Sequence, residues 1–252
     1  MNLSTEKALG KVPEVTLLFW IIKIAATTLG ETAGDAVSMS MNLGYLVATG
    51  IFAAVFLAAV IAQIRAKTFH PVLYWITIIA TTTIGTTLAD FADRSLGIGY
   101  TGGSTLLLTL LLGSLLIWHR TLGSVSVDTV SSPKAEMFYW LTIMFSQTLG
   151  TALGDWTADT AGLGYTGAAI VFSALLGLVV AAYYWTSISR TILFWAAFIL
   201  TRPLGAVVGD FLDKPHSAGG LDLSRYSASA ALFAFILCSI LLFKQRAAKT
   251  AH

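Results

Sequence analysis

The sequence is poor in charged residues. Only 11% of its 252 residues are charged, against about 25% in a typical soluble domain, and 56% are hydrophobic. This composition excludes a water-soluble globular protein, and membrane helices of roughly 20 residues each would use most of these residues. The formal net charge is only +2, and no basic face typical of nucleic-acid binding is present, so no nucleic-acid partner is expected.

Cysteine and histidine are also scarce. The single cysteine, Cys238, and four scattered histidines exclude an internal disulfide and argue against a zinc or copper centre. The sequence also lacks a P-loop, a nucleophile elbow, a metalloprotease helix and a glycine-rich nucleotide motif. We therefore expect neither an enzyme nor a cofactor.

Long apolar stretches dominate instead, and they predict an all-α, polytopic membrane protein with eight transmembrane helices. Pro13 and Pro71 stand where a helix can begin, because the missing proline N–H costs little in the first turn. The predicted spans are 13–37, 43–64, 71–91, 100–118, 136–157, 163–185, 191–211 and 226–243.

Four segments align with one another without a gap, and each ends in an aspartate. They read FWIIKIAATTLGETAGD, YWITIIATTTIGTTLAD, YWLTIMFSQTLGTALGD and FWAAFILTRPLGAVVGD. The aspartates are Asp35, Asp90, Asp155 and Asp210; a tryptophan stands fifteen residues earlier (Trp20, Trp75, Trp140, Trp195) and a glycine five residues earlier (Gly30, Gly85, Gly150, Gly205). A fourfold match at fixed spacing predicts an internal repeat.

The repeats organise the chain as a single integral membrane domain, residues 1–252, of four two-helix units. Their approximate bounds are 13–65, 70–119, 135–186 and 190–244, with a polar linker, 120–135, between the two halves. Because each unit crosses the membrane twice, all four have one orientation, which predicts parallel repeats around an axis along the membrane normal.

Basic residues are distributed unequally between the two sides of the predicted helices. Ten lie on the side of the termini: Lys7, Lys11, Arg65, Lys67, Arg120, Lys134, Arg190, Lys244, Arg246 and Lys249. The opposite side has three: Arg94, Lys214 and Arg225. This asymmetry predicts cytoplasmic termini.

Polar residues precede each aspartate on the same helix face, at four, seven and eight positions before it. They are Glu31, Thr28 and Thr27 in the first repeat; Thr86, Thr83 and Thr82 in the second; Thr151, Thr148 and Gln147 in the third; Ala206, Pro203 and Arg202 in the fourth. We expect a shared site formed by Asp35, Asp90, Asp155, Asp210, Glu31, Thr28, Thr83 and Gln147. The alternative is that each aspartate only ends its helix at the lipid headgroups.

Oxygen ligands of this kind suit hard cations such as magnesium, calcium or manganese, or protons. A bound cation would also relieve the cost of clustering carboxylates within the membrane. Lys23 and Arg202 lie too far inside their helices to reach the headgroups easily. We expect both to pair with carboxylates of other repeats and to act as internal counter-charges.

The remaining repeated residues have structural interpretations. Gly30, Gly85, Gly150 and Gly205 are typical of close helix packing. The four tryptophans near one end of the helices, and the tyrosines near the other, are typical of an interfacial aromatic belt.

The Trp-x9-Gly-x3-[Gly/Ala]-Asp pattern, followed by Gly-Tyr, resembles a family of small bacterial multi-spanning inner-membrane proteins usually labelled membrane-anchored or integral membrane proteins. The resemblance covers residues 13–243 and implies a bacterial inner membrane. The residues themselves favour a secondary transporter of a small cation, working by proton-coupled export or exchange. A cation channel and a non-transporting scaffold or partner-binding protein are the alternatives, and the oligomeric state is left open.

Overall fold

The computed structural model describes residues 10–248, which contain eight long helices in the predicted order. They are α1 (Leu17–Asp35), α2 (Gly44–Arg65), α3 (Pro71–Asp90), α4 (Gly99–Leu122), α5 (Pro133–Asp155), α6 (Gly164–Trp185), α7 (Arg190–Asp213) and α8 (Arg225–Leu242). Lys7 and Lys249, two of the basic residues that predict the orientation, lie outside the described residues.

Seven of these helices are long and apolar enough to cross a membrane. The eighth, α5, is 23 residues long but is not among them. It carries Thr142, Ser146 and Gln147, which are fully buried inside the protein. Its low apolarity therefore comes from polar side chains that do not face lipid.

The helix starts follow local sequence signals. Thr16 and Ser132 cap α1 and α5 through their side-chain oxygens, and Pro71 and Pro133 occupy the first helical position. The prediction from Pro13 is wrong by four residues, because α1 begins at Leu17 and Pro13 instead forms an isolated bridge with Ala247.

Each of α1, α3 and α5 continues past its aspartate into a five-residue π-helical segment. These segments are Ala36–Ser40, Phe91–Ser95 and Trp156–Thr160. The chain then turns at Gly44, Gly99 and Gly164, which have positive φ angles of 64° to 76°. A residue with a Cβ is strained there, which explains why glycine precedes tyrosine in three repeats.

The odd-numbered helices form a closed inner ring in the order α1, α3, α5, α7 and back to α1. Between 67% and 72% of the residues in the α1, α3 and α7 spans are buried, against 11% to 22% in the even-numbered helices. Each even-numbered helix packs on the inner helix of the following repeat: α2 on α3, α4 on α5, α6 on α7, and α8 on α1. The last repeat thus covers the first, and the ring closes.

The seams of the inner ring are built on the repeated glycines. Counted from the aspartate, the residue at position −8 of one repeat lies over the position −5 glycine of the preceding repeat. The contacts are Thr82 over Gly30, Gln147 over Gly85, Arg202 over Gly150 and Thr27 over Gly205. The glycines at position −5 let the helix backbones approach closely enough to bury the polar residues that precede each aspartate.

Aromatic side chains fill the end of the ring opposite the aspartates. Trp75, Trp140 and Trp195 are at most 5% exposed and pack with neighbouring tyrosine and phenylalanine rings. The aromatic-belt prediction is therefore wrong for these tryptophans, because their rings form the core of this end. The Trp195 indole donates a hydrogen bond to the carbonyl of Val125 in the linker.

We predict that Gly85→Ala lowers the free energy of unfolding. A Cβ there would lie 2.9 Å from the backbone carbonyl carbon of Gln147, which cannot move aside like a flexible side chain. Overpacking of this kind costs roughly 1–3 kcal/mol. Gly177→Ala on α6 is the control, because a Cβ there meets no atom within 4 Å. Thermal unfolding in detergent measures both, and equal unfolding midpoints would contradict the seam.

Candidate functional site

The four repeat aspartates meet at one end of the inner ring, where two basic residues bridge them in pairs. The Arg94 guanidinium lies 3.0 Å from Asp90 Oδ1 and 3.2 Å from Asp155 Oδ2. The Lys214 ammonium lies 2.9 Å from Asp210 Oδ1 and also pairs with Asp35 Oδ2. All four aspartates are at most 3% exposed.

Both bridging residues stand four positions after an aspartate, in the second and fourth repeats. The chain stays helical through Arg94, so this spacing brings the side chain back over Asp90. The same position holds Met39 in the first repeat and Asp159 in the third. The backbone therefore has four similar units, but the bridging charges recur only in alternate repeats.

Both bridging cations have further polar or charged partners. Arg94 donates hydrogen bonds to the hydroxyls of Tyr100 and Tyr45. Burial alone would lower the pKa of Lys214, but Asp210 and Asp35 outweigh it and raise the pKa well above its ordinary value. These two carboxylates therefore favour the ammonium form of Lys214.

A second charged layer lies one turn deeper and is centred on Arg202. Its Nη2 atom donates to Glu31 Oε2 at 3.0 Å, to Thr86 Oγ1 at 2.6 Å and to Thr151 Oγ1. These partners come from the other three repeats and all stand four positions before an aspartate. The fully buried guanidinium therefore lies in the middle of the ring, paired with a carboxylate of another repeat, as the sequence predicts.

Three carboxylates converge between these two layers. Oxygens of Glu31, Asp35 and Asp210 all lie within 4.8 Å of one another, a spacing that could hold a metal ion. Asp35 Oδ1 is buried and accepts no hydrogen bond from the described residues. An oxygen-only donor set of this kind fits a hard cation such as magnesium or manganese.

Further unpaired polar atoms lie at position −8. Thr82 Oγ1, both amide atoms of Gln147, and the Nε and Nη1 atoms of Arg202 are buried without a hydrogen-bond partner among the described residues. All three side chains are fully buried. Packed protein interiors satisfy almost all such groups, so these unpaired atoms are polar partners that a bound water or ion could satisfy.

The structure places two predicted ligands away from the carboxylates. Thr28 and Thr83 donate their hydroxyls to the carbonyls of Ile24 and Ile79, four residues earlier on their own helices. Neither forms a hydrogen bond to an aspartate among the described residues. Because these hydroxyls are satisfied by hydrogen bonds within their own helices, Thr28 and Thr83 stabilise those helices and do not belong to the aspartate ring.

Lys23 differs from its predicted role as well. It is fully buried, but it pairs with no carboxylate in the described part of the chain. Its ammonium lies 4.1 Å from the centre of the Phe198 ring and 3.5 Å from Thr201 Oγ1. Phe198 stands at the position equivalent to Lys23, twelve residues before an aspartate, and a ring face can stabilise a cation there.

One cavity of the described residues lies away from the aspartates. It is a groove of about 410 Å³ between α1, α6 and α7, lined by apolar side chains such as Leu17, Leu176 and Leu193. Leu17, which is 77% exposed, lines this groove, and none of the four aspartates does.

We predict that Lys214→Met destabilises the protein, because Asp35 and Asp210 lose their shared counter-charge. Removing one partner of a buried ion pair costs roughly 3–5 kcal/mol. Lys134→Met is the control, since Lys134 is exposed and forms no ion pair with the described residues. Unfolding in detergent at pH 7 should separate the two variants, and an unchanged midpoint for Lys214→Met would contradict the bridge.

One family model matches the chain four times, at residues 18–69, 73–124, 138–189 and 193–249, once for each repeat. Comparison with curated proteins and with solved structures gave no match. The four matches cover most of the chain and coincide with the internal repeat found in the sequence. The chain therefore belongs to the family described as Repeat of Unknown Function (DUF347), of which it carries four copies.

Proposed function

We propose that this protein is a secondary transporter of a small cation, with the ring of four aspartates and Glu31 as its binding site. The observation that carries the proposal is the convergence of Glu31, Asp35 and Asp210 beside a cation of the chain itself. A transported cation would compete with Lys214 for Asp35 and Asp210. Such competition supplies a means of release.

The balance of charge supports the same proposal. Six carboxylates, the four aspartates with Glu31 and Asp213, share four cations, Arg94, Lys214, Arg202 and Arg225. The carboxylates in excess require either protons or an added cation, because unpaired charge inside a membrane is costly. Exchange of one for the other is proton-coupled cation transport.

A carrier fits the geometry better than an open channel. At the aspartate end, Arg94 and Lys214 bridge pairs of aspartates from opposite sides of the ring entrance. At the other end the inner layer consists of Phe19, Tyr74, Tyr139 and Phe194, all buried. The Tyr74 and Tyr139 hydroxyls share a hydrogen bond of 2.7 Å. A ring closed at both ends has to rearrange in order to pass an ion, as a carrier does.

We further propose that all eight helices cross a bacterial inner membrane, as parallel repeats around an axis along the membrane normal and with cytoplasmic termini. The inclusion of α5 rests on its enclosure by α3, α4 and α7. The orientation rests on the excess of basic residues on the side of the termini.

We predict that Asp35→Asn lowers pH-gradient-driven Mn²⁺ uptake into proteoliposomes by about tenfold or more, because the site loses a ligand charge. Asp222→Asn is the control: Asp222 is exposed in the loop before α8, and its φ of 55° suits asparagine. Size-exclusion chromatography checks that both variants fold.

The same assay separates the alternatives. Mn²⁺ flux that ignores the pH gradient but requires Asp35 would support a channel. Absence of Mn²⁺ and Mg²⁺ flux from the wild type would contradict transport of these ions and favour a scaffold. Equal uptake by Asp35→Asn and the wild type would contradict the aspartate site.

The orientation is tested by thiol labelling in a Cys238→Ala background. We predict that Ser217→Cys, in the exposed loop after α7, reacts with a membrane-impermeant maleimide in intact spheroplasts. Thr68→Cys, in the exposed loop after α2, should react only after permeabilisation. The opposite pattern would reverse the topology.

A further inference from the structure

Asp93 is a buried carboxylate that the ring described above does not use. It lies in the π-helical segment after α3 and is 8% exposed. Neither of its oxygens has a hydrogen-bond partner among the described residues. The side chain is pressed against α4, where a Cβ on Gly103 would lie only 2.2 Å from Asp93 Oδ1. Glycine at position 103 thus makes room for the carboxyl group.

The fourth repeat provides an internal comparison. Asp213 stands at the equivalent position, three residues after its aspartate, and is also buried. Its Oδ2 accepts a hydrogen bond from Arg225 Nε at 3.0 Å. The second repeat has Gly99 where the fourth has Arg225, so the same carboxylate position lacks that cation.

The groups around Asp93 do not compensate for this loss. The titratable side chains near it on the packed elements are Asp90 at the end of α3, Arg94 in its own segment, Tyr100 on α4 and Tyr45 on α2. Arg94 is the sole cation among them, and its contacts are with Asp90, Asp155 and the two tyrosine hydroxyls. The other basic residues of α2 and α4, Arg65 and Arg120, and His119 lie at the far ends of those helices.

A buried carboxylate that forms no hydrogen bond and no ion pair is unfavourable, whereas a neutral carboxyl group is tolerated. We propose that Asp93 carries a proton in this conformation and is the proton-binding residue of the protein. The role of Asp93 in coupling rests on the transport proposed above, whereas its protonation state does not depend on that proposal.

The sequence position of Asp93 connects it to the ring. When the O–H bond breaks and the proton leaves to water on the aspartate side, a carboxylate forms at the residue next to Arg94 in the chain. That new anion competes with Asp90 and Asp155 for the guanidinium. Loss of the proton therefore weakens the Arg94 bridge and makes those two aspartates available to a cation.

Infrared difference spectra of the purified protein at pH 7 test the protonation directly. The wild type should show a C=O band of a protonated carboxyl group that is absent from the spectrum of Asp93→Asn. In the matched control, the wild type should show bands of an ionised carboxylate that are absent from the spectrum of Asp213→Asn. A carboxylate signature for Asp93 would overturn the proposal. If Asp93→Asn does not fold, Asp93→Ala, which leaves no polar atom in the space beside Gly103, provides the same spectrum.

Transport assays test the coupling separately. In proteoliposomes, Mn²⁺ uptake by the wild type should respond to a pH gradient, whereas uptake by Asp93→Asn should be the same with and without the gradient, because asparagine has no proton to release. An unchanged response would overturn the coupling role. A wild type that moves no Mn²⁺ would contradict the proposed function, and the infrared spectra would then decide the protonation of Asp93 alone.

Discussion

The contact of Arg202 with Glu31 is the interaction on which the rest of this structure depends. A charge at the centre of a membrane helix costs roughly 2.5–3.5 kcal/mol on insertion scales, so neither residue is tolerated alone. Their pairing joins the last repeat to the first, and Thr86 and Thr151 add the second and third repeats to the same guanidinium. A single side chain therefore requires that all four inner helices surround one point.

The glycine seams and the charged layers are two consequences of that closure. Close approach at Gly30, Gly85, Gly150 and Gly205 brings the four aspartates near enough to need counter-charges. The chain supplies these counter-charges at Arg94 and Lys214, in alternate repeats only. The ring thus combines a backbone of four similar units with a charge pattern of two similar halves. Under the proposed transport function, this lower symmetry would let the cation and the proton bind at different places.

Much of the fold and part of the site are predictable from the sequence. The spacing of tryptophan, glycine and aspartate indicates the repeat, and the depth of Arg202 within its helix indicates an internal partner. The bridging by Arg94 and Lys214 is missed because both follow an aspartate where a loop is expected, whereas the chain remains helical through Arg94. The partner of Lys23 is missed because periodicity reveals which face a residue occupies but not which neighbour faces it. For the same reason, nothing in the apolar pattern predicts that each outer helix packs on the following repeat.

A double-mutant cycle at Glu31 and Arg202 tests the closure of the ring most directly. The free energy of unfolding in detergent would be measured for Glu31→Gln, for Arg202→Met and for the protein with both changes. Each single change should cost roughly 3–5 kcal/mol, because it leaves a buried charge without its partner, and the double change should cost much less than their sum. Strictly additive costs would mean that the two side chains do not meet, and the ring would lose the contact that closes it.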